Sequence, residues 1–305
     1  MKEKVVVSSP ATIANFGPGF DSFGLCLDSP RDVISMRRLP RGEIEVKVAG
    51  KHKLPTDPAR NTASYAATKL AEACGCRKFG FSMTIRKGMK PGSGIGSSAA
   101  SSVGGALAMA SLLGVRNKDL ILEAAGMGEE LIAGSRHFDN VAAALYGGFT
   151  VVSDARSRTI LRIRPPAFEV AIVIPDISVE TKRARQLLPG KVPMGDAVTN
   201  LSWASGMVHA MMTKDVRAVG SYLDDRLALP YRKTLIPAFD DVRDAALSAG
   251  AVGVSIGGSG PTVFAVCEDG ADRVRKAMAG AFRSKGGLRS DSFVTVPGSG
   301  ARVEA

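Results

Sequence analysis

The chain of 305 residues is long enough for one large domain or two of ordinary size, each around a real hydrophobic core. Its 45% hydrophobic and 23% charged content is that of a globular protein, and no run approaches the ~20 apolar residues needed to cross a bilayer, so a cytoplasmic protein without a membrane partner is expected. The net charge of +11 invites nucleic acid, but Lys and Arg are spread along the chain and only one Trp and four Tyr are present to stack on bases; no nucleic-acid partner is expected, and the positive field suits small anions instead.

In chain order, a strand is expected over 4–9 and a turn at Gly17-Pro18-Gly19. Alternating residues predict strands over 32–36 and 43–48, joined as a hairpin through Pro40-Arg41-Gly42. A helix over 62–73 stops at Cys74-Gly75, and a strand over 80–86 delivers the chain to a glycine-rich run. Helices follow from Ala99 to Leu113, over 118–133 and over 139–146, where Gly147-Gly148 breaks the pattern before a hairpin of 149–153 with 160–164. Pro165-Pro166 stops regular pairing and divides the chain into 1–165 and 166–305. The second part reads as a buried strand over 168–174, helical stretches over 182–188, 194–212, 216–223 and 238–249, and short strands over 252–256 and 262–266 around Gly257-Gly258-Ser259-Gly260-Pro261. A helix over 271–284 and a strand over 292–296 close a βααβ-type unit, so the fold class is α+β with two lobes. Cys26, Cys74, Cys76 and Cys267 are scattered and read as free thiols, since Cys74 and Cys76 are too close for an easy disulfide and have no His nearby for zinc.

The run Lys90-Pro91-Gly92-Ser93-Gly94-Ile95-Gly96-Ser97-Ser98-Ala99-Ala100-Ser101 carries the most chemistry. Its glycines let a ligand touch the main chain, and the helix behind it aims free N–H groups and a positive dipole end at the loop. A multiply charged anion is the natural occupant, with the Ser97 and Ser98 hydroxyls available to a phosphate or a metal ion. No Lys follows the last glycine as a P-loop requires, and the spacing is not that of a Rossmann turn.

The order P-x-x-G-[x]-G-S-S-A-A resembles the second motif of the kinases grouped as galactokinase, homoserine kinase, mevalonate kinase and phosphomevalonate kinase (GHMP). Two further segments fit that family in order and spacing: Ser9-Pro10-Ala11-Thr12-Ile13-Ala14-Asn15-Phe16-Gly17-Pro18-Gly19-Phe20-Asp21 and Ile256-Gly257-Gly258-Ser259-Gly260-Pro261-Thr262. Within the family the first segment is similar to the homoserine kinase signature, with Ile13 in place of the usual Ser, and the segments 135–140, 180–185 and 229–233 also look like that branch. The resemblance implies a ribosomal-S5-domain-2-like N-terminal lobe, a ferredoxin-like C-terminal lobe, ATP and Mg²⁺ as cofactors, L-homoserine as acceptor and a possible homodimer. Another GHMP small-molecule kinase, of shikimate or mevalonate type, and a catalytically silent metabolite-binding regulator are the rival readings.

The same resemblance distributes roles. Nucleotide contacts fall on Asn61, Lys87 and the loop residues Pro91, Gly92, Ser93, Gly94, Ile95, Gly96, Ser97, Ser98, Ala99, Ala100 and Ser101. Metal ligands fall on Ser98 and Glu129; Glu129 and Glu130 sit about 100° apart on their helix, and the spacing to His137 favours Glu129. Substrate contacts fall on Asn15, Asp21, His137, Thr181, Arg185, Arg232 and Gly258, with the arginines suited to a carboxylate and Asp21 to an ammonium. Mevalonate-type relatives carry an aspartate base where this chain has Asn140. Either Asn140 orients the hydroxyl in a reaction without a strong protein base, or Asp139 or a phosphate oxygen takes the proton.

Overall fold

A computed structural model of the chain describes residues 3–134, 136–154 and 159–304, so Ser135 of the 135–140 segment lies outside the described residues. The first half contains β1 (Lys4–Ala14), β2 (Phe23–Leu39), β3 (Ile44–Ala49), α1 (Thr62–Ala73), β4 (Gly80–Arg86), α2 (Ser97–Leu113), α3 (Lys118–Ala133), α4 (Asp139–Tyr146), β5 (Phe149–Asp154) and β6 (Thr159–Ile163). The second contains β7 (Glu169–Pro175), α5 (Thr181–Gln186), α6 (Met194–Thr213), α7 (Val216–Ser221), α8 (Leu229–Arg232), a 3₁₀ turn (Lys233–Leu235), α9 (Phe239–Ser248), β8 (Gly253–Ile256), β9 (Val263–Cys267), α10 (Ala271–Gly286), β10 (Ser290–Thr295) and β11 (Arg302–Val303). None of the described helices is long and apolar enough to cross a membrane.

Local chemistry sets the helix limits. α1 starts where Asn61 accepts the Ala63 and Ser64 N–H groups, and α3 starts where Asn117 does the same for Asp119 and Leu120. α2 differs: its cap is Gly96, left-handed at φ 65°, and no side chain caps its first turn. Glycines in the left-handed region end α2 and α3 at Gly114 and Gly134.

Two sheets organise the molecule, one in the order β11-β1-β2-β4-β3 with β5 and β6 added off β2, the other β10-β7-β9-β8. The expected hairpin of 32–36 with 43–48 does not form. β4 inserts between its arms, antiparallel to β2 and parallel to β3. Gly80 makes this possible, because a Cβ there would sit 1.7 Å from the Pro40 carbonyl oxygen; the incoming strand passes where only glycine fits. Gly42 and Phe81 then donate to Lys78 and Glu43 across the widened turn.

One face of the first sheet, with Val5, Val7, Ile34, Met36, Phe81, Met83 and Ile85, is buried under α1, α2 and α3. In β7 the side chains alternate: Val170 and Ile172 join a core shared with Ile13, Phe16, Leu25 and Phe149 of the first half, while Ala171 and Val173 face α9 and α10. Phe16 stacks on Phe264 at 5.4 Å and meets Phe149 edge-on at 5.8 Å, so aromatic rings tie the sheets together just behind the loop that follows β1.

Candidate active site

A cleft of about 270 Å³, lined by loops and helix ends from both halves of the chain, is where the sequence motifs converge. At its floor Gly92, Gly94 and Gly96 adopt φ of 70°, 83° and 65°. Alternating left-handed glycines turn the intervening side chains one way and the main chain the other. Ser93 and Ile95 are accordingly buried at 2% and 1%, Ala99 and Ala100 are fully buried, and none of these four lines the cleft. Their side chains pack the loop from behind, which leaves their main chain to meet a ligand. The uncapped first turn of α2 opens onto the cleft through Ser97 and Ser98.

Lys87 and Ser101 line the cleft, but their polar groups are already engaged within the protein. Lys87 donates to Asp32, to the Ser97 carbonyl at 2.8 Å and to Ser101 Oγ at 3.0 Å, while Ser101 donates to Asp32 Oδ2 at 2.9 Å. All three ammonium protons are used, and the side chains of Lys87 and Asp32 are 1% and 0% exposed. This buried network holds the first turn of α2 rather than offering a free cation to a ligand. Asn61 is likewise occupied, as the α1 cap and as donor to the Pro55 carbonyl at 2.8 Å. Beside it Leu54, Pro55 and Ile132 make an apolar rim on the cleft.

Ser98 Oγ donates to Glu129 Oε2 at 2.9 Å, joining α2 to α3. Glu129 is 9% exposed, and burial pushes its carboxyl up to about 7 against the lowering effect of the Ser98 and Ser102 hydroxyls. Among the described residues no cluster of three His, Cys, Asp or Glu is poised for a metal. A single carboxylate beside a hydroxyl, with a phosphate cradle adjacent, fits an oxygen-seeking ion that shares its ligands with phosphates and water.

In the same cleft two arginines flank Phe20, with guanidinium carbons 5.3 Å (Arg185) and 5.1 Å (Arg232) from the ring centre. Arg185 forms a two-pronged pair with Asp21, at 3.0 and 2.8 Å. His137 Nδ1 stands 3.6 Å from Asp21 Oδ1 and 3.5 Å from Arg185, and burial pushes its pKa down. Arg232 is 2% exposed, and no carboxylate among the described residues lies within ion-pair distance of it. It donates to the Gly258 carbonyl at 2.9 Å, and its buried Nε, like that of Arg185, has no acceptor. Burial and the neighbouring Arg185 push its pKa down.

Backbone strain holds this group of residues. Asn15 and Asp21 have φ of 68° and 55°; Asn15 accepts the Asp21 N–H at 3.0 Å and donates to the Gly258 carbonyl at 3.1 Å, so both lobes meet on one oxygen. Thr181 Oγ1 lies 3.3 Å from Ser259 Oγ at the start of α5. Asn140 and Asp139 occupy the first turn of α4; Asp139 is 3% exposed and burial pushes it up to about 6.

Sequence reasoning missed Phe20, Asp32, Thr12 and Asp225. Asp225 accepts the N–H groups of Leu227, Ala228 and Leu229 and so fixes the short α8 that carries Arg232. The run Asp225-Arg226-Leu227-Ala228-Leu229-Pro230 sets an Asp a few residues ahead of a helix-starting Pro, and that was the available signal.

The GHMP kinases N terminal domain matches residues 61–148, and the GHMP kinases C terminal family matches residues 207–284. The chain is 50% identical over 291 residues to a homoserine kinase of Thermococcus gammatolerans, covering 95% of this chain and 97% of the relative. The chain belongs to the homoserine kinases of the GHMP family. A homoserine kinase of Pyrococcus abyssi is 44% identical over 302 residues, covering 99% of both chains. The crystal structure of a homoserine kinase from Cytophaga hutchinsonii superimposes with a TM-score of 0.92 at 38% identity, covering 100% of this chain and 98% of that one. The α+β, two-lobed GHMP kinase fold and an ATP-dependent kinase acting on an alcohol follow for this chain.

Proposed function

We propose that the protein transfers the γ-phosphoryl group of ATP to the side-chain hydroxyl of L-homoserine, giving O-phospho-L-homoserine and ADP for threonine synthesis. The observation that carries this reading is Arg232, a buried cation with an orphan Nε and no carboxylate partner, facing the same cleft as an uncapped helix N-terminus. An amino-acid carboxylate answers the first need and a nucleotide phosphate the second.

In this reading the main chain of Gly92, Gly94 and Gly96 and the first turn of α2 receive the phosphates, with the base against the rim beside Asn61. Ser98 and Glu129 would hold Mg²⁺, which when bound neutralises phosphate charge. Arg232 and Arg185 take the homoserine carboxylate, and Asp21, Asn15 and His137 take its ammonium. Because Asp21 and Arg185 are paired with each other, a zwitterion replaces one ion pair with two. Thr181 and Gly258 border the substrate, and the first turn of α4 sets the hydroxyl opposite the phosphate cradle. The bond formed joins the homoserine oxygen to the γ-phosphorus, the bond broken releases ADP with its electron pair, and the hydroxyl proton passes to an oxygen of the transferred phosphoryl group.

The test is ADP release with Mg-ATP against L-homoserine, mevalonate, shikimate and L-serine. Turnover confined to homoserine is expected. Turnover of a different alcohol would keep the phosphate chemistry and overturn the roles of Arg232, Arg185 and Asp21.

A further inference from the structure

Three segments far apart in sequence meet at one buried point beside the phosphate loop. Thr12, fully buried on β1, donates its hydroxyl to Asn140 Oδ1 at 2.7 Å, and its backbone N–H donates to the Ile95 carbonyl at 3.1 Å. The register of β1 shifts between Pro10 and Thr12, the kind of irregularity that re-aims a side chain. Gly96 completes the arrangement: a Cβ there would lie 1.9 Å from Thr12 Oγ1 and 3.0 Å from Asn140 Oδ1. The loop glycine therefore serves the Thr12–Asn140 pair as well as the main-chain turn.

The bond decides which way the Asn140 amide points. Asn140 is the partner that the Thr12 hydroxyl has among the described residues. With the amide reversed, Nδ2 would donate to Oγ1 and the hydroxyl proton would be left buried without an acceptor, which is costly. Oδ1 is thus committed to Thr12, and Asn140 lines the cleft with its N–H donors available.

We infer that Thr12 is a positioning residue that fixes Asn140 as a hydrogen-bond donor toward the oxygen that is phosphorylated. This deepens the homoserine kinase reading and rests on it. Asn140 then orients that oxygen through a lone pair and takes no proton from it. Thr12 touches neither substrate; it acts through Asn140 alone.

A double-mutant cycle tests this. Thr12→Val keeps the side-chain shape and removes the hydroxyl; it should lower kcat about tenfold, the worth of one orienting hydrogen bond, with KM for ATP unchanged. Thr12→Ser restores the hydroxyl and should recover kcat to within about threefold. In an Asn140→Ala background, Thr12→Val should have no further effect on kcat. A second full loss in that background, or a Thr12→Ser enzyme as slow as Thr12→Val, would overturn the proposal. Should Thr12→Val not fold, Thr12→Ala is read in the same cycle. Failure of the homoserine reading would show separately, as absence of homoserine turnover by the unaltered enzyme.

Discussion

Replacing Arg232 by Met separates a substrate-binding arginine from a structural one. In the fold, Arg232 makes one hydrogen bond to Gly258 and one contact with the Phe20 ring, together worth about 2 kcal/mol. Against that stands the cost of holding a guanidinium 2% exposed, next to Arg185 and with no carboxylate in contact. Burying an unpaired cation costs several kcal/mol, more than those two contacts return, so the Met variant should be no less stable than the parent. For the substrate the balance is one-sided. Two charge-assisted hydrogen bonds to a carboxylate are worth at least about 3 kcal/mol, a loss of about 10²-fold in kcat/KM for homoserine. KM for ATP should stay within about threefold, because Arg232 makes its hydrogen bond to Gly258 and not to the phosphate loop. Steady-state kinetics for both substrates and urea denaturation read these quantities. A large loss of stability, with homoserine and ATP constants worsening together, would refute the reasoning.

Three further outcomes follow from the geometry. Glu129→Gln keeps the bond to Ser98 but removes the charge, and should lower kcat by at least about tenfold with KM for homoserine little changed. Asp139 is pushed by burial from 3.8 to about 6, so folding loses stability as pH rises through that value, roughly 3 kcal/mol in full. Asp139→Asn should therefore be more stable than the parent at pH 8, by denaturation, with the difference gone by about pH 4. Lys87→Met strands the Asp32 carboxylate in the interior and should cost about 3–5 kcal/mol, while adding Asp32→Asn should recover part of it.

The helices were legible because their ends are written locally: Asn61 and Gly75 bracket α1, and Gly134 and Gly147 stop α3 and α4. Glycine and asparagine act through their immediate neighbours, so spacing reveals them. Strand pairing is not local. Nothing in 32–48 announces that β4 will part the two arms, and only the bare Gly80 hinted at it. The two-residue β11 and the four-residue α8 are too short to carry a periodic signal. The cleft residues were named through their motifs, but their protonic circumstances were hidden. Lys87 is neutralised by Asp32, 55 positions away, and Asn140 is turned by Thr12, 128 positions away. Chemistry of that kind is set by what the fold brings together.

The tail after β10 completes the first sheet. It returns across Leu27 and Gly147, β11 pairs with Val7 and Ser8, and Arg31 grips the Ser299 and Gly300 carbonyls at 3.1 and 2.9 Å. During synthesis β1 is made long before β11, so this edge of the sheet stays open while the intervening chain is made. An open strand edge invites pairing with another molecule. Soluble yield of a chain cut between β10 and β11 will therefore fall far more than the small buried area of β11 suggests.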